Sequence, residues 1–209
     1  MSDLKITVLA NGPYMVDGQP PLLDPAGDPI EAKERYFLCR CGGSSNKPFC
    51  NGTHNTNGFD GTEVADRSPI GSRRKAYRSD GVTIFDDRSV CAHAGFCTDR
   101  LPTVWNSKQS PWIDASGAPA EEIVAAVSAC PSGALAYALG DSDDPVVAAG
   151  EPRIEPMADG PYVVRGGILL ASPDETPYEA RTPYTLCRCG ASKNKPFCDG
   201  THSDIGFRA

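Results

Sequence analysis

A stretch of sixteen residues occurs twice in this chain, and it constrains the fold more than any other feature. The first copy runs from Cys39 to His54 and the second from Cys187 to His202, each with three cysteines and one histidine at identical spacing. Together the copies contain six of the nine cysteines and two of the three histidines. Thiolates and imidazoles grouped in this way predict two metal sites with four protein ligands each.

The spacing within each copy narrows the choice of metal. Structural zinc sites usually have two to four residues between paired cysteines, with the histidines as a further spaced pair. Here one residue separates the first two cysteines, and a single histidine completes the set. This arrangement suits two thiolates on one iron of a 2Fe–2S cluster, with the later cysteine and the histidine on the second iron. A zinc-bound structural adaptor is the less favoured alternative.

Both copies carry the pattern C-x-C-x2-S-x3-P-x-C-D-G-x-H, which resembles the signature of the CDGSH iron–sulfur domain family. The one departure is Asn51, which stands where the second copy has Asp199. The resemblance implies that each copy binds one 2Fe–2S cluster. The implied ligands are Cys39, Cys41, Cys50 and His54 in the first copy, and Cys187, Cys189, Cys198 and His202 in the second. The departure at Asn51 affects the expected tuning of the first site, not its existence.

The duplication extends beyond the ligands. Residues 11–59 align with residues 159–207 without a gap, at a constant offset of 148, with 27 identities in 49 positions. A gapless duplication indicates one supersecondary unit used twice. Each unit is predicted to be built of short strands. The predicted strands are Ile6–Leu9, Tyr14–Val16, Arg35–Leu38, Tyr162–Arg165, Ile168–Ala171 and Pro183–Leu186.

Residues next to the ligands are expected to shape each site. Pro48 and Pro196 precede the third cysteine of each copy and are predicted to fix the backbone that enters it. Asn51 and Asp199 are predicted to N-cap a short helix that presents the histidine.

A different module lies between the copies, after a connector at residues 60–75. Ala76–Phe85 is predicted to be one strand, and Glu121–Cys130 has the apolar spacing of a helix. Cys91 and Cys97 have the outer spacing of the ferredoxin run C-x2-C-x2-C, and Cys130 precedes a proline as the remote ferredoxin ligand does.

The segment V-C-A-H-A-G-F-C, with P-W-I and C-P-S-G-A-L downstream, resembles a divergent ferredoxin-like family found beside CDGSH motifs. The resemblance covers roughly Ala76–Leu139. Ala94 occupies the position of the missing central cysteine, so Cys91, Cys97 and Cys130 are predicted to hold a 3Fe–4S cluster. The alternative is a 4Fe–4S cluster with His93 or a water on the fourth iron. A further alternative is that the three cysteines are ordinary buried residues that bind no metal. The side chains of Trp105, Trp112 and Ile113 are interpreted as packing around this module.

Charge and composition argue against several classes of partner and location. The net charge of -7 argues against a nucleic-acid partner, because phosphates attract basic surfaces. The basic cluster Arg73, Arg74, Lys75 and Arg78 is interpreted as solvated surface. No run approaches the roughly 18 apolar residues of a membrane span, and the N-terminus lacks the apolar core of a secretory signal. Nine cysteines, an odd number, with C-x-C pairs fit metal ligation in a reducing compartment, so a cytoplasmic location is expected.

The expected fold is a small, β-rich α+β protein with three domains. These are an N-terminal CDGSH domain at 1–66, a divergent ferredoxin-like α+β module at 67–150 and a C-terminal CDGSH domain at 151–209. An acidic linker, Asp141–Pro156, joins the last two. Single-motif CDGSH domains are known as intertwined homodimers. The two β-cap and cluster-binding units are therefore expected to pair within one monomeric chain as a pseudo-dimer. Tyr14–Val16 and Tyr162–Val164 are expected to share a sheet about a pseudo-twofold axis.

No catalytic constellation or phosphate-binding loop is present in the sequence, so an enzyme is not expected. The favoured function is soluble electron transfer with redox protein partners. The alternative is an iron–sulfur cluster donor to apo acceptors, or a redox or pH sensor. A site with three thiolates and a neutral imidazole is less negative than one with four thiolates, so its potential should exceed the roughly -400 mV of plant-type ferredoxins. A protonated histidine cannot bind iron, so mild acid should make the clusters labile.

Overall fold

The computed structural model describes residues 4–147, 150–179 and 181–209. The predicted first domain begins at Met1 and the predicted linker includes residues 148 and 149. These parts of the two predictions, with residue 180 of the predicted third domain, lie outside the described residues.

The described chain is built of twelve short strands and four short helices, which confirms the β-rich α+β prediction. The strands are β1 (Lys5–Val8), β2 (Tyr14–Asp17), β3 (Leu22–Leu23), β4 (Pro29–Ile30), β5 (Arg35–Leu38), β6 (Lys75–Ser79), β7 (Val82–Asp86), β8 (Leu135–Leu139), β9 (Arg153–Pro156), β10 (Tyr162–Arg165), β11 (Leu169–Ala171) and β12 (Tyr184–Leu186). The helices are α1 (Ile70–Arg73), α2 (Phe96–Arg100), α3 (Ala120–Ser128) and α4 (Thr201–Asp204), with 3-10 turns at Thr53–Asn55 and Arg88–Val90. None of these helices is long and apolar enough to cross a membrane.

The two repeats exchange strands. The first sheet has the order β11-β1-β2-β5, and β11 of the second repeat runs parallel to β1 with Ile6 opposite Leu170. The second sheet has the order β12-β10-β9-β3-β4, and β3 of the first repeat runs parallel to β9 with Leu22 opposite Ile154. Each repeat therefore completes the sheet of the other.

The prediction that β2 and β10 share a sheet is wrong. The two strands occupy equivalent positions in different sheets, because each repeat inserts β3 or β11, and not its central strand, beside the other repeat. Contact between β2 and β10 is instead made by side chains: the rings of Tyr14 and Tyr162 pack edge to face with centroids 6.2 Å apart.

One hydrophobic core joins the repeats. Its apolar side chains come from strands of both sheets, and in β2, β5 and β9 buried residues alternate with more exposed ones. The largest fully buried members are Tyr14, Tyr162, Ile6, Leu38, Ile154, Ile168 and Leu186.

The middle module is a three-stranded antiparallel sheet, β6-β7-β8, with α3 packed against it. The prediction of one continuous strand at Ala76–Phe85 is wrong: the chain turns at Asp80-Gly81, where Gly81 has φ +86°, and returns as β7. An Asp-Gly pair is a strong hairpin signal, because glycine adopts positive φ without a Cβ penalty. The predicted helix is confirmed as α3, with Ile123 and Val127 buried.

An ion-pair cluster ties this module to the second repeat. The buried Asp87 carboxylate accepts hydrogen bonds from Arg73 at 3.1 Å and from Arg181 at 2.8 Å. The interpretation of Arg73 as solvated surface is therefore wrong, since its side chain is only 10% exposed. Its spacing from Asp87 in the sequence gave no indication of this pairing, which depends on Arg181 of the distant repeat.

Candidate metal centres

The first two cysteines of each copy are held as a pair. β5 ends at Leu38 and delivers Cys39, whose backbone N–H donates to the Pro48 carbonyl oxygen at 2.8 Å. The sulfur atoms of Cys39 and Cys41 lie 3.9 Å apart, and the corresponding pair in the second copy lies 3.8 Å apart. Two thiolates on one tetrahedral metal, with metal–sulfur distances of about 2.3 Å, are separated by about 3.8 Å. The structure thus places these thiols at the separation that one shared metal requires.

The third cysteine and the histidine form a second pair. Cys50 Sγ lies 3.4 Å from His54 Nδ1, and Cys198 Sγ lies 3.3 Å from His202 Nδ1. A thiolate and an imidazole that share a tetrahedral metal are separated by about 3.6 Å. In each copy Nδ1 is therefore the ring nitrogen placed for ligation.

A short helical turn carries each histidine, as predicted, but its N-cap is a glycine one residue later than expected. Gly52 and Gly200 occupy the N-cap positions with left-handed backbone. The predicted capping side chains still bond this turn: Asn51 Oδ1 accepts from the Thr53 N–H at 3.2 Å, and Asp199 Oδ1 accepts from the corresponding N–H at 3.0 Å. The two copies differ at this point, since a carboxylate in one is a neutral amide in the other.

The donors stand as separate pairs. In residues 4–147, 150–179 and 181–209, no three His, Cys, Asp or Glu side chains converge closely enough to hold a single metal ion. Four-coordinate zinc would require all four donors around one point. Two pairs per copy fit a binuclear centre in which each metal takes two protein ligands.

Burial keeps several of the thiols protonated in the metal-free chain. It raises the pKa of Cys39, and it raises the pKa of Cys198 to about 12, with a further contribution from the charge on Cys187. A hydrogen bond from the Cys187 thiol lowers the pKa of Cys189 to about 7, and the same bond raises the pKa of Cys187. Metal binding must therefore displace protons, so metal affinity should rise with pH. Burial also lowers the pKa of His202, which favours its neutral, ligating form.

The two ligand loops contact each other through their backbones. Cys41 and Cys189 form an antiparallel β-bridge between the ligand loops. The next residue in each loop is a glycine at close approach: a Cβ on Gly42 would lie 2.6 Å from the Cys189 carbonyl oxygen, and one on Gly190 would lie 2.7 Å from that of Cys41. Glycine is therefore required at both positions for the loops to touch.

Each repeat also supports the ligand loop of the other through a tyrosine. The Tyr14 hydroxyl donates to the carbonyl oxygens of Cys187 at 2.9 Å and Pro196 at 3.1 Å. Tyr162 makes the same two bonds to the first copy, at 2.9 and 3.0 Å. Both hydroxyls are deeply buried, so water cannot replace these bonds.

Replacing Tyr14 by phenylalanine is therefore expected to weaken the second site and not the first. The ring is retained, but the carbonyl oxygens of Cys187 and Pro196 lose the hydroxyl proton that they share, although the Pro196 carbonyl keeps the Cys187 N–H. The loss should lower the stability of the folded chain by about 1–3 kcal/mol. The Tyr162→Phe variant is the matched control and should weaken the first site instead. The rate of cluster loss at each site is followed by EPR of the reduced protein in a His54→Cys background, in which the changed spectrum of the first site separates the two signals. Weakening confined to the site of the same repeat would contradict this prediction.

Sequence reasoning missed two buried arginines. Arg40 and Arg188 lie between the paired cysteines and are 1% and 4% exposed. Arg40 lies over the rings of Tyr14 and Phe59 and donates to the Gly61 carbonyl oxygen at 2.7 Å. In the described chain neither arginine forms a salt bridge, and each Nε is buried without a partner. A buried cation beside each ligand pair favours an anionic group at that place. The sequence feature that could have revealed it is the arginine between the two cysteines of each C-x-C pair.

The structure brings the three cysteines of the middle module together. Cys91, Cys97 and Cys130 line one cavity of about 160 Å³, with Ala94 on its wall. Cys91 follows a 3-10 turn, Cys97 lies in α2, and Cys130 follows α3. Burial raises the pKa of Cys97 to about 11 and also raises the pKa of Cys91.

Polar groups beside this cavity were also missed. Asp86 lines it with an Oδ1 atom that is buried and has no hydrogen-bond partner, and burial raises the pKa of this carboxyl to about 6. Arg88 lies 3.6 Å from Cys91 Sγ and stacks on Trp112, which also lines the cavity. His93 lines the cavity but is exposed.

Comparisons with known proteins match the same three segments of the chain. A family model described as iron-binding zinc finger CDGSH type matches residues 11–55 and 159–203, and a model described as divergent 4Fe-4S mono-cluster matches residues 77–140. The chain is 26% identical over 72 residues to the uncharacterized protein YjdI of Escherichia coli strain K12, and equally to that of Escherichia coli O157:H7. Each match covers 34% of this chain and 95% of the relative. No solved structure matches the chain.

Proposed function

This chain carries two iron-binding CDGSH domains that flank a divergent 4Fe-4S mono-cluster domain, and from that premise we propose that it is an electron-transfer protein with three iron–sulfur clusters. The clusters would supply one-electron chemistry, and the chain supplies their ligands, their burial and their mutual placement. The observation that carries the proposal is the donor pairing: in both copies, ligand atoms stand 3.3–3.9 Å apart as two pairs.

The CDGSH copies each hold a 2Fe–2S cluster in this proposal. Cys39 and Cys41 bind one iron of the first cluster, and Cys50 and His54 bind the other. The equivalent residues of the second copy are Cys187, Cys189, Cys198 and His202. The distances of 3.3–3.9 Å within each donor pair support two protein ligands on each iron.

The middle cluster is held by Cys91, Cys97 and Cys130 and is of the 3Fe–4S type. Their common cavity supports three thiolate ligands. The exposed position of His93 favours the three-iron form over a cluster with His93 on a fourth iron. The 4Fe-4S description of the matching family model is the observation that keeps a four-iron form as the alternative.

The two CDGSH units pair within one chain as a pseudo-dimer in this proposal, and the chain acts as a monomer. The exchange of β3 and β11 and the reciprocal tyrosine bonds support the pairing. We place the domain boundaries at 1–66, 67–150 and 151–209. The partners are other redox proteins.

A cluster donor is the second candidate. The observation that favours it is the partial exposure of Cys50, His54 and His202, the ligands from which a cluster would be released. The two functions are separated by mixing the loaded protein with an apo-ferredoxin. Transfer of cluster faster than its loss to buffer would favour donation, whereas reversible one-electron reduction with cluster retained on the chain supports electron transfer.

Replacing Cys97 by serine should remove the middle cluster and leave the other two. The cavity would keep only two thiolates, and the CDGSH ligands are untouched. Iron content and EPR of the oxidised protein measure the loss, with His93→Ala as the control that should retain the signal. Retention of the middle signal in the Cys97→Ser protein would contradict the ligand assignment.

A further inference from the structure

The two CDGSH ligand loops are equivalent in sequence but differ in their surroundings. Asn194 Nδ2 donates to the Ser89 carbonyl oxygen of the middle module at 2.6 Å. Its counterpart in the first copy, Asn46, makes no corresponding bond within the described part of the chain.

A pair of equivalent glycines shows the same difference. Gly52 and Gly200 have nearly identical backbone, with φ +87° and +89°. A Cβ on Gly200 would lie 3.0 Å from the His93 Cβ and 3.4 Å from the Ala92 carbonyl oxygen. A Cβ on Gly52 would meet only Asn55 of its own turn, at 3.9 Å. The middle module therefore approaches the second loop alone at this position.

The loop after Cys130 approaches the same repeat. A Cβ on Gly133 would lie 2.3 Å from the Pro183 carbonyl oxygen, so these backbones are in direct contact. Pro183 precedes β12, the strand that leads to Cys187. Two separate ligand segments of the middle site are thus seated on the second repeat.

We propose that Asn194 and Gly200 are positioning residues that hold the middle ligand loops against the second CDGSH site, so that the second site and not the first is the direct neighbour of the middle site. The duplicated sites are then functionally distinct: the second adjoins both others, because Cys189 also meets Cys41, and the first is terminal. This inference rests on the proposed function, since it requires a cluster at each of the three sites.

Spin relaxation in the reduced protein tests the placement, because a paramagnetic neighbour speeds relaxation steeply with proximity. The His54→Cys substitution changes the spectrum of the first site and so separates the two CDGSH signals. In this background, Cys97→Ser should slow relaxation of the second signal markedly and that of the first much less. Asn194→Ala and Gly200→Ala should each reduce the enhancement at the second signal. The matched control Asn46→Ala should leave it unchanged.

The outcomes separate this inference from the proposed function. Equal effects of Cys97→Ser on both CDGSH signals, or a second signal indifferent to both Asn194→Ala and Gly200→Ala, would overturn the inference while the clusters remain. Iron and sulfide contents that correspond to fewer than three clusters per chain would overturn both the proposed function and this inference. Asn194→Ala removes one side-chain bond and leaves the backbone intact, so the test does not depend on folding of the glycine variant.

Discussion

Replacing Gly42 by alanine is expected to destabilise the chain and release both CDGSH clusters together. The left-handed backbone at φ +75° costs alanine about 1–2 kcal/mol. The new methyl group would also lie 2.6 Å from the backbone carbonyl of Cys189, and overpacking of this kind costs about 1–3 kcal/mol more. The neighbour is backbone and not a flexible side chain, so the ligand loops must separate.

A glycine elsewhere provides the control. Gly58 has φ +70°, and a Cβ there meets nothing within 4 Å. The Gly58→Ala protein should therefore show the conformational cost alone. Denaturant unfolding followed by visible absorbance and circular dichroism measures the difference between the variants. Equal stability of the Gly42 and Gly58 variants would show that contact between the ligand loops is not needed.

Replacing His54 or His202 by cysteine should keep a cluster at the substituted site and lower its reduction potential. The new thiolate adds a negative charge, which opposes addition of an electron. The difference between all-cysteine and two-histidine clusters suggests a fall on the order of 100–300 mV for one exchange. Potentiometric titration followed by EPR measures the shift.

The same substitution should slow loss of the cluster in acid, because no imidazole remains to be protonated at that site. The unsubstituted site of each variant serves as the internal control. The clusters at the two sites are expected to be lost at different rates in acid, because the first copy has Asn51 where the second copy has Asp199. Unchanged acid loss in both variants would exclude histidine protonation as the release step.

The candidate sites could be predicted because their donors are close in sequence. A single residue between Cys39 and Cys41, and three between Cys50 and His54, leave the chain little freedom, so each pair follows from local geometry. Prediction of the middle site also required the distant Cys130, which was recognised as a candidate ligand by the proline that follows it. These features depend on spacing more than on the rest of the fold.

The remaining features depend on contacts between distant segments. The exchange of β3 and β11 was not predicted, because strand pairing between repeats leaves no mark in either repeat alone. The burial of Arg73 requires Asp87 and the distant Arg181. The hairpin at Gly81 is the exception: its Asp-Gly signal was present in the sequence and was outweighed by the apolar residues around it.

The most direct test of three clusters is iron and acid-labile sulfide per chain, combined with EPR of the oxidised protein. Two 2Fe–2S clusters and one 3Fe–4S cluster contain seven iron atoms and eight sulfide ions. The three-iron cluster has an odd electron count when oxidised, so a signal should be present before any reductant is added, while the other two clusters are silent. Eight iron atoms with no signal in the oxidised state would contradict the three-iron assignment, and a colourless protein that contained zinc and no sulfide would contradict the account as a whole.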